Sequence, residues 1–533
     1  MRLSLKSISE EKQNWIEAGV ALPSYDVEAV RKNTRENPCW VHFGAGNIFR
    51  DFIAGLADKL IGDGKMDSGI TAVEVFDPEM IDLVYEPYDS LTLSVGLQCD
   101  GKTRLRVKAG IGEAVKAASD PGRLMEIAAK HSLQMVSYTI TEKGYVVKDS
   151  VGEPVGYMKV DIEGGPGRAA STIGLSTAML YQRYKAGKAP VAFVSMDNCS
   201  GNGDRLKEAV CFVAEKWIEK GLAEAGFMEY LQDEKLVAFP CSMIDKITPR
   251  PDQGIADKLK ALGIEGMEVF VTGKNTYISP FVNAEIPQYL VVEDKFPAGR
   301  PPLQEAGVYM TKRDTVEKSE RMKVQSCLNP LHTGLAVCGC LLGFNKISEE
   351  MKDEDLKALA YGLGKEGLEV VCDPGIIKPS DFIKEVLEER LPNPYMPDTP
   401  QRIACDTSQK IPIRFGHTMK SYAELNREGE LELIPFVIAA WFRYLSGYDD
   451  RLEKMQLSPD PELDALCSKL ASLVPGKGVT DISLIEGLLS DSRFFAMDLT
   501  KSEALSGKIK EYYKKMMSGK GAVREALHEA VNK

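Results

Sequence analysis

Apolar residues along the first half of the chain follow two alternating rhythms. Residues 40–43 (WVHF) form a short apolar run that turns on Gly44-Ala45-Gly46, after which Ile48, Phe52, Leu56 and Leu60 fall at four-residue spacing, the period of one helix face. The pattern predicts a strand, a tight turn and a helix. A second, β-branched run at 70–76 (ITAVEVF) stops at Asp77-Pro78, where proline cannot donate to a sheet ladder. Residues 135–140 (MVSYTI) and 191–196 (VAFVSM) repeat the strand pattern, with a helical stretch at 171–185 between them. Strands alternating with helices predict an α/β fold built on a parallel, helix-covered sheet.

Beyond about residue 280 the texture changes. Pro287, Pro297, Pro301 and Pro302 punctuate one segment, and long amphipathic stretches follow at 333–342, 353–364, 433–444 and 501–517. This half reads as mainly α-helical. The prolines suggest a hinge near 286–302, so the expected domains are 1–290 and 291–533.

Composition narrows the class. The 533 residues suffice for two to four domains at about 150 residues each. With 66 basic and 78 acidic residues the formal charge is -12, which argues against nucleic acid or an anionic membrane as a partner. The first residues, MRLSLKSISEEKQNW, lack the continuous apolar core of a signal peptide, so a cytoplasmic location is expected. Cysteines are scattered singly, as at Cys39, Cys211, Cys241 and Cys467, the usage of reduced thiols. With five histidines in the chain and no cluster at zinc spacing, no metal site is expected.

Two regions carry candidate chemistry. In Gly44-Ala45-Gly46-Asn47-Ile48-Phe49 the first glycine permits the turn out of the strand. The second lets backbone approach a pyrophosphate at a helix N-terminus. Phe49 stands where the fingerprint has its third glycine, and a plain strand-helix turn is the alternative. Asp77, after the second strand, is the candidate acceptor for adenosine ribose hydroxyls, with Glu74 as its rival; an acid there favours NAD over NADP.

The second region is Glu320-Arg321-Met322-Lys323-Val324-Gln325-Ser326-Cys327-Leu328-Asn329-Pro330-Leu331-His332. Asn329 and Pro330 read as the cap and first residue of a helix. His332 falls in the first turn, where the positive helix end favours neutral imidazole. Lys323 lies in the approaching strand or loop. A lysine whose pKa is lowered by burial can move an alcohol proton without a metal, and carboxamides at Asn329 and Asn198 can stabilise the oxygen as it gains charge. A capping asparagine, a surface lysine and a core histidine are the alternative.

GAGNIFR, SYTITEKGY (137–145), MDNCSGNG (196–203), SMIDKITPR (242–250), QYLVVEDKF (288–296) and the 323–332 cluster together resemble the polyol-specific long-chain dehydrogenases, the family of the mannitol dehydrogenases. The resemblance spans most of the chain. It implies a Rossmann-type N-terminal domain with a mainly helical C-terminal domain, NAD as cofactor, and a small sugar acid or polyol as substrate. By the same resemblance Lys323 is the acid/base, Asn198 and Asn329 polarise the carbonyl, and His332 orients the substrate. Glu320 exchanges the proton with solvent, and Asp245 lies near the active site. One departure stands out, because the family places five steps between lysine and asparagine whereas Lys323 and Asn329 are six apart.

A sugar acid needs a cation for its carboxylate, and Arg414 in TSQKIPIRFGH (407–417) is the candidate, bracketed with Lys410; arginine offers bidentate geometry. Asn393 is a companion. CLNPLHT (327–333) with the TSQKIPIRFG segment resembles more the branch of the family that contains the fructuronate reductases, which implies interconversion of D-fructuronate and D-mannonate. A tagaturonate reductase, a neutral mannitol or arabinitol dehydrogenase, and a catalytically silent nucleotide sensor are the rivals. The oligomeric state is open, and a monomer is compatible with the sequence.

Overall fold

A computed structural model describes residues 1–477 and 481–533. They form two compact units, one of residues 1–98 and 102–317, the other of 318–533 with 99–101.

The first unit is organised by a parallel sheet of β1 (Trp40–Phe43), β2 (Ile70–Glu74), β3 (Ile111–Lys116), β4 (Met135–Tyr138), β5 (Val191–Ser195) and β6 (Val237–Ala238). Their spatial order is β3-β2-β1-β4-β5-β6, all parallel. That is the doubly wound order, with its switch point between β1 and β4. Every residue of β1, β2, β4 and β5 is buried, as expected of strands covered on both faces. Side chains alternate between two cores. Val41, Phe43, Val136 and Phe193 face one, and Trp40, Met135, Ala192 and Val194 face the other.

The helix after β1 starts at Asn47, continues through a π turn at Phe49–Ile53 and becomes α1 (Ala54–Gly62). Further helices include α2 (Thr172–Lys185), capped by Ser171, and α3 (Asn202–Glu219). The second strand ends at Glu74 and does not reach residue 76, because Glu74 turns its carboxylate onto the amides of Phe76 and Asp77, both at 2.8 Å.

The proline-rich segment is not a linker. Past β6 and β7 (Ser242–Asp245), a short hairpin pairs β8 (Phe270–Val271) with β9 (Tyr277–Ile278). β10 (Tyr289–Glu293) then pairs with β7 and with β11 (Tyr309–Thr311). Leu303 and Val308 enter the first unit's core. The units therefore divide at 317/318, later than the 290/291 read from the prolines; Pro297, Pro301 and Pro302 lie in the connection between β10 and β11, two strands that pair with each other.

The second unit begins within α4 (Arg313–Arg321), whose end passes into a π turn at Met322–Cys327. Then comes α5 (Asn329–Leu342), apolar and buried on nearly all sides, the signature of a central helix. Packed on α5 are α6 (Glu354–Leu368), α7 (Pro400–Ile403), α8 (Thr407–Arg414) and α9 (Leu433–Tyr444), while α10 (Glu503–Met516) packs on α9. No helix among the described residues is long and apolar enough to cross a membrane.

Candidate active site

The glycine turn is built from both sides. Gly44 has φ +101°, and a Cβ there would stand 2.3 Å from the Thr139 carbonyl oxygen, so no other residue fits. Around Gly46 a Cβ would meet no protein atom within 4 Å, leaving open space in front of the first helical turn, at Asn47 and Ile48. Amides of a first turn have no intrahelical acceptor. The turn is held by Glu74, which accepts from the Ala45 amide at 2.9 Å, and by Tyr85, whose hydroxyl donates to the Ala45 carbonyl at 2.7 Å.

The structure places three further candidates around this turn. The Phe49 side chain is fully buried and stacks on His42 with centroids 4.3 Å apart, so only its backbone faces the turn. Asp77 is 1% exposed, three residues past the strand, and accepts from the Thr272 hydroxyl at 2.6 Å. Glu74 is the acid at the end of β2 and touches the glycine turn. Burial raises its pKa, against three backbone amides that lower it.

Asn198 is exposed in the loop after β5. Its neighbour Asp197, whose importance the sequence did not reveal, straps that loop to the one after β4. It accepts from the amides of Ile140 at 2.8 Å and Thr141 at 2.9 Å and from the Tyr145 hydroxyl at 2.6 Å. Buried Asn202 donates to the Asp197 carbonyl and to the Ser242 carbonyl, and accepts from the Ser242 amide. It thereby fixes the start of β7, which ends at Asp245, also buried. The motifs MDNCSGNG and SMIDKITPR are thus bound together by one asparagine.

In the second unit Lys323 is 2% exposed and lies in the π turn, not in a strand or loop. The Leu328 amide donates to the Lys323 carbonyl at 3.1 Å, five residues back. A π turn is a one-residue insertion in an α-helix, and it takes up the extra step between Lys323 and Asn329. Glu320 lies on α4 one turn earlier.

Asn329 is the first residue of α5; Leu328 occupies the cap position, and no side chain caps the helix. The Asn329 carboxamide is therefore not spent on capping, while its carbonyl accepts from the Thr333 hydroxyl at 3.1 Å and from Arg414 Nη1 at 3.3 Å.

Arg414, at the end of α8, also donates from Nη1 to Thr333 Oγ1 at 2.7 Å. Its Nε and Nη2 carry no hydrogen bond among the described residues. Burial lowers its pKa to about 10, leaving it charged at neutral pH. His332 Nε2 lies 3.7 Å from Asp398 Oδ2, and Asp398 also pairs with Arg402. The His332 pKa is pushed down to about 4, by burial first and then by Arg414, Arg390 and Arg402, against Asp398. Neutral imidazole was expected, and burial with the neighbouring cations favours it.

Lys410 is committed elsewhere, its ammonium donating to the carbonyls of Ile403 and Cys405. It closes the end of α7, which removes it as a carboxylate-binding candidate in this conformation. Buried Asn393 accepts from the Tyr395 amide at 3.1 Å and shapes a turn. The structure thus brings Asn329, His332 and Arg414 together, and adds Asp398 and Arg390, which carried no sequence signal beyond their charge.

The mannitol dehydrogenase Rossmann domain matches residues 38–304, and the mannitol dehydrogenase C-terminal domain matches 315–517. D-mannonate oxidoreductase of Thermotoga maritima is 49% identical over 542 aligned residues, covering 100% of this chain and 99% of its own. Mannitol 2-dehydrogenase of Pseudomonas fluorescens, solved as a ternary complex with NAD and D-mannitol, has a TM-score of 0.69 at 25% identity, covering 100% of both chains. A substrate-free D-sorbitol dehydrogenase shares the fold, with a TM-score of 0.79 at 24% identity over 96% of this chain and 98% of its own. Sheet order, glycine turn and helical second unit define an oxidoreductase of the Rossmann type with an α-helical C-terminal domain. The chain belongs to the mannitol dehydrogenase family.

Proposed function

We propose that the chain is an NAD-dependent oxidoreductase that interconverts D-fructuronate and D-mannonate. The observation that carries this reading is the 49% identity, end to end, with a D-mannonate oxidoreductase. It is supported by Arg414, a half-buried guanidinium with two nitrogens uncommitted to protein, beside Asn329 and His332.

The turn fits a dinucleotide. Gly44 makes the tight turn against Thr139 and Gly46 leaves space for a pyrophosphate, the amides at Asn47 and Ile48 face it, and Glu74 or Asp77 serves the ribose. When bound, NAD supplies the hydride chemistry. In the reductive direction the Lys323 ammonium gives its proton to the substrate oxygen. Asn329 donates a hydrogen bond to that oxygen as negative charge grows on it, and Asn198 of the first unit is the second carboxamide that the family resemblance assigns to carbonyl polarisation. Neutral His332 orients the hydroxyls, Arg414 receives the carboxylate in a charge-assisted pair, and Glu320 returns the proton from solvent. Asp245 and Asn393 support the substrate's surroundings. Reversal of these roles gives the oxidation. Reduced thiols and a small soluble substrate suit the proposed cytoplasmic location.

The test is the loss of NADH absorbance with purified protein and fructuronate, tagaturonate or fructose. Preference for fructuronate is expected. Preference for tagaturonate would move the assignment within the sugar acids, and preference for fructose would overturn it in favour of a neutral-polyol enzyme.

A further inference from the structure

Phe76 is 69% exposed, although large aromatics normally bury their apolar area. It lies two residues beyond Glu74, the acid that holds the Ala45 amide of the glycine turn, and so borders the carboxyl edge of β2. In doubly wound sheets that edge receives the adenosine half of a dinucleotide. An exposed ring beside a nucleotide crevice has a chemical use, since a purine base stacks on it.

The surroundings hold the ring in place. The Asp77 carboxylate, next in sequence, is buried and takes one hydrogen bond, from Thr272 in the β8–β9 hairpin. Its other oxygen is buried and has no partner among the described residues. Thr272 in turn accepts from the amides of Lys274 and Thr276, and the Gly273 amide donates to Glu79 at 2.9 Å. This double latch brings the Lys274 ammonium to 5.4 Å from the centre of the Phe76 ring. An exposed cation–π contact is weaker than stacking of a base on an aromatic ring, so an incoming base can take the ring from the lysine.

We propose that Phe76 is the adenine platform of this chain, and that the hairpin Phe270–Ile278, latched to Asp77 through Thr272, positions it. The proposal rests on the nucleotide-binding reading above and adds the residue that recognises the base. Titration calorimetry with ADP, and with UDP as the poorer stacker, tests it on the full-length protein without turnover. Phe76→Ala is expected to weaken ADP about tenfold and UDP less, with an unchanged melting temperature, because the ring is exposed. Phe76→Trp restores ADP binding, and Thr272→Val, which frees the hairpin, weakens it with Phe76 intact. ADP binding to Phe76→Ala equal to wild type would overturn the platform alone. A wild type that binds neither nucleotide would overturn the platform together with the nucleotide-binding reading.

Discussion

Lys323 shows how much one side chain depends on its backbone. It is buried within a π turn immediately before the central helix of its unit, where a compact ammonium is held without the rotameric freedom of a surface lysine. If it is the acid/base, Lys323→Ala lowers kcat by about 10²–10⁴-fold while sugar-acid binding changes little. Steady-state and single-turnover kinetics separate the two effects, and a variant turning over within tenfold of wild type would remove the lysine from the mechanism. Arg414 makes a different prediction. Loss of a charge-assisted hydrogen bond costs about 1.5–3 kcal/mol, so Arg414→Ala raises KM for fructuronate roughly 10- to 100-fold and leaves fructose unaffected; equal losses on both substrates would assign the arginine to structure. Lys323, Asn329 and His332 could be read together because they are neighbours in sequence. Arg414 reaches Thr333 across 81 residues, a separation that side-chain type alone cannot bridge, and Lys410, equally basic, proves to close a helix.

Elements show a second kind of constraint, the fit of one helix on another. Glu350, at the end of the short helix Ile347–Glu350, is fully buried, and neither carboxyl oxygen has a hydrogen-bond partner among the described residues. It lies against α5, where a Cβ on Gly339 would come within 1.8 Å of Glu350 Oε1. Burial, then Asp353, holds its pKa well above the carboxylate range, so the folded protein keeps this proton. The unfolded chain releases it above about pH 4.3. From there upward the folded state binds more protons, and stability falls as pH rises until the folded pKa is passed. Chemical denaturation of wild type and Glu350→Gln from pH 5 to 9 measures this. The difference between them is expected to shift in favour of the glutamine variant by up to about 1.4 kcal/mol per pH unit; parallel curves would show that Glu350 is already ionised in the folded protein. The strand and helix succession was readable from apolar period. The π turns at Phe49–Ile53 and Met322–Cys327 were not, since an inserted residue leaves the helical pattern on either side intact and only shifts its phase.

At the scale of the whole molecule, the proposed function gives the dinucleotide to the doubly wound sheet and proton transfer to the helical unit. Proton transfer is assigned to an amine and polarisation to carboxamides, so activity after exhaustive chelation is expected to stay within about twofold of the untreated enzyme. A loss restored by one divalent metal would replace the amine-based scheme. The net charge of -12 gives an anionic sugar acid no general attraction, which leaves its recognition to local cations such as Arg414. The sequence by itself determined the α/β first half, the helical second half, the glycine turn and the family, because apolar period, obligatory glycines and ordered motifs are local or collinear properties. Tertiary structure alone decided the division at 317/318, the placing of Glu74 rather than Asp77 at the strand end, the Asp197 strap and the separate fates of Arg414 and Lys410. Each of these depends on which distant backbone amide or carbonyl a polar side chain reaches once the chain has closed around it, and that partner is set by packing in three dimensions.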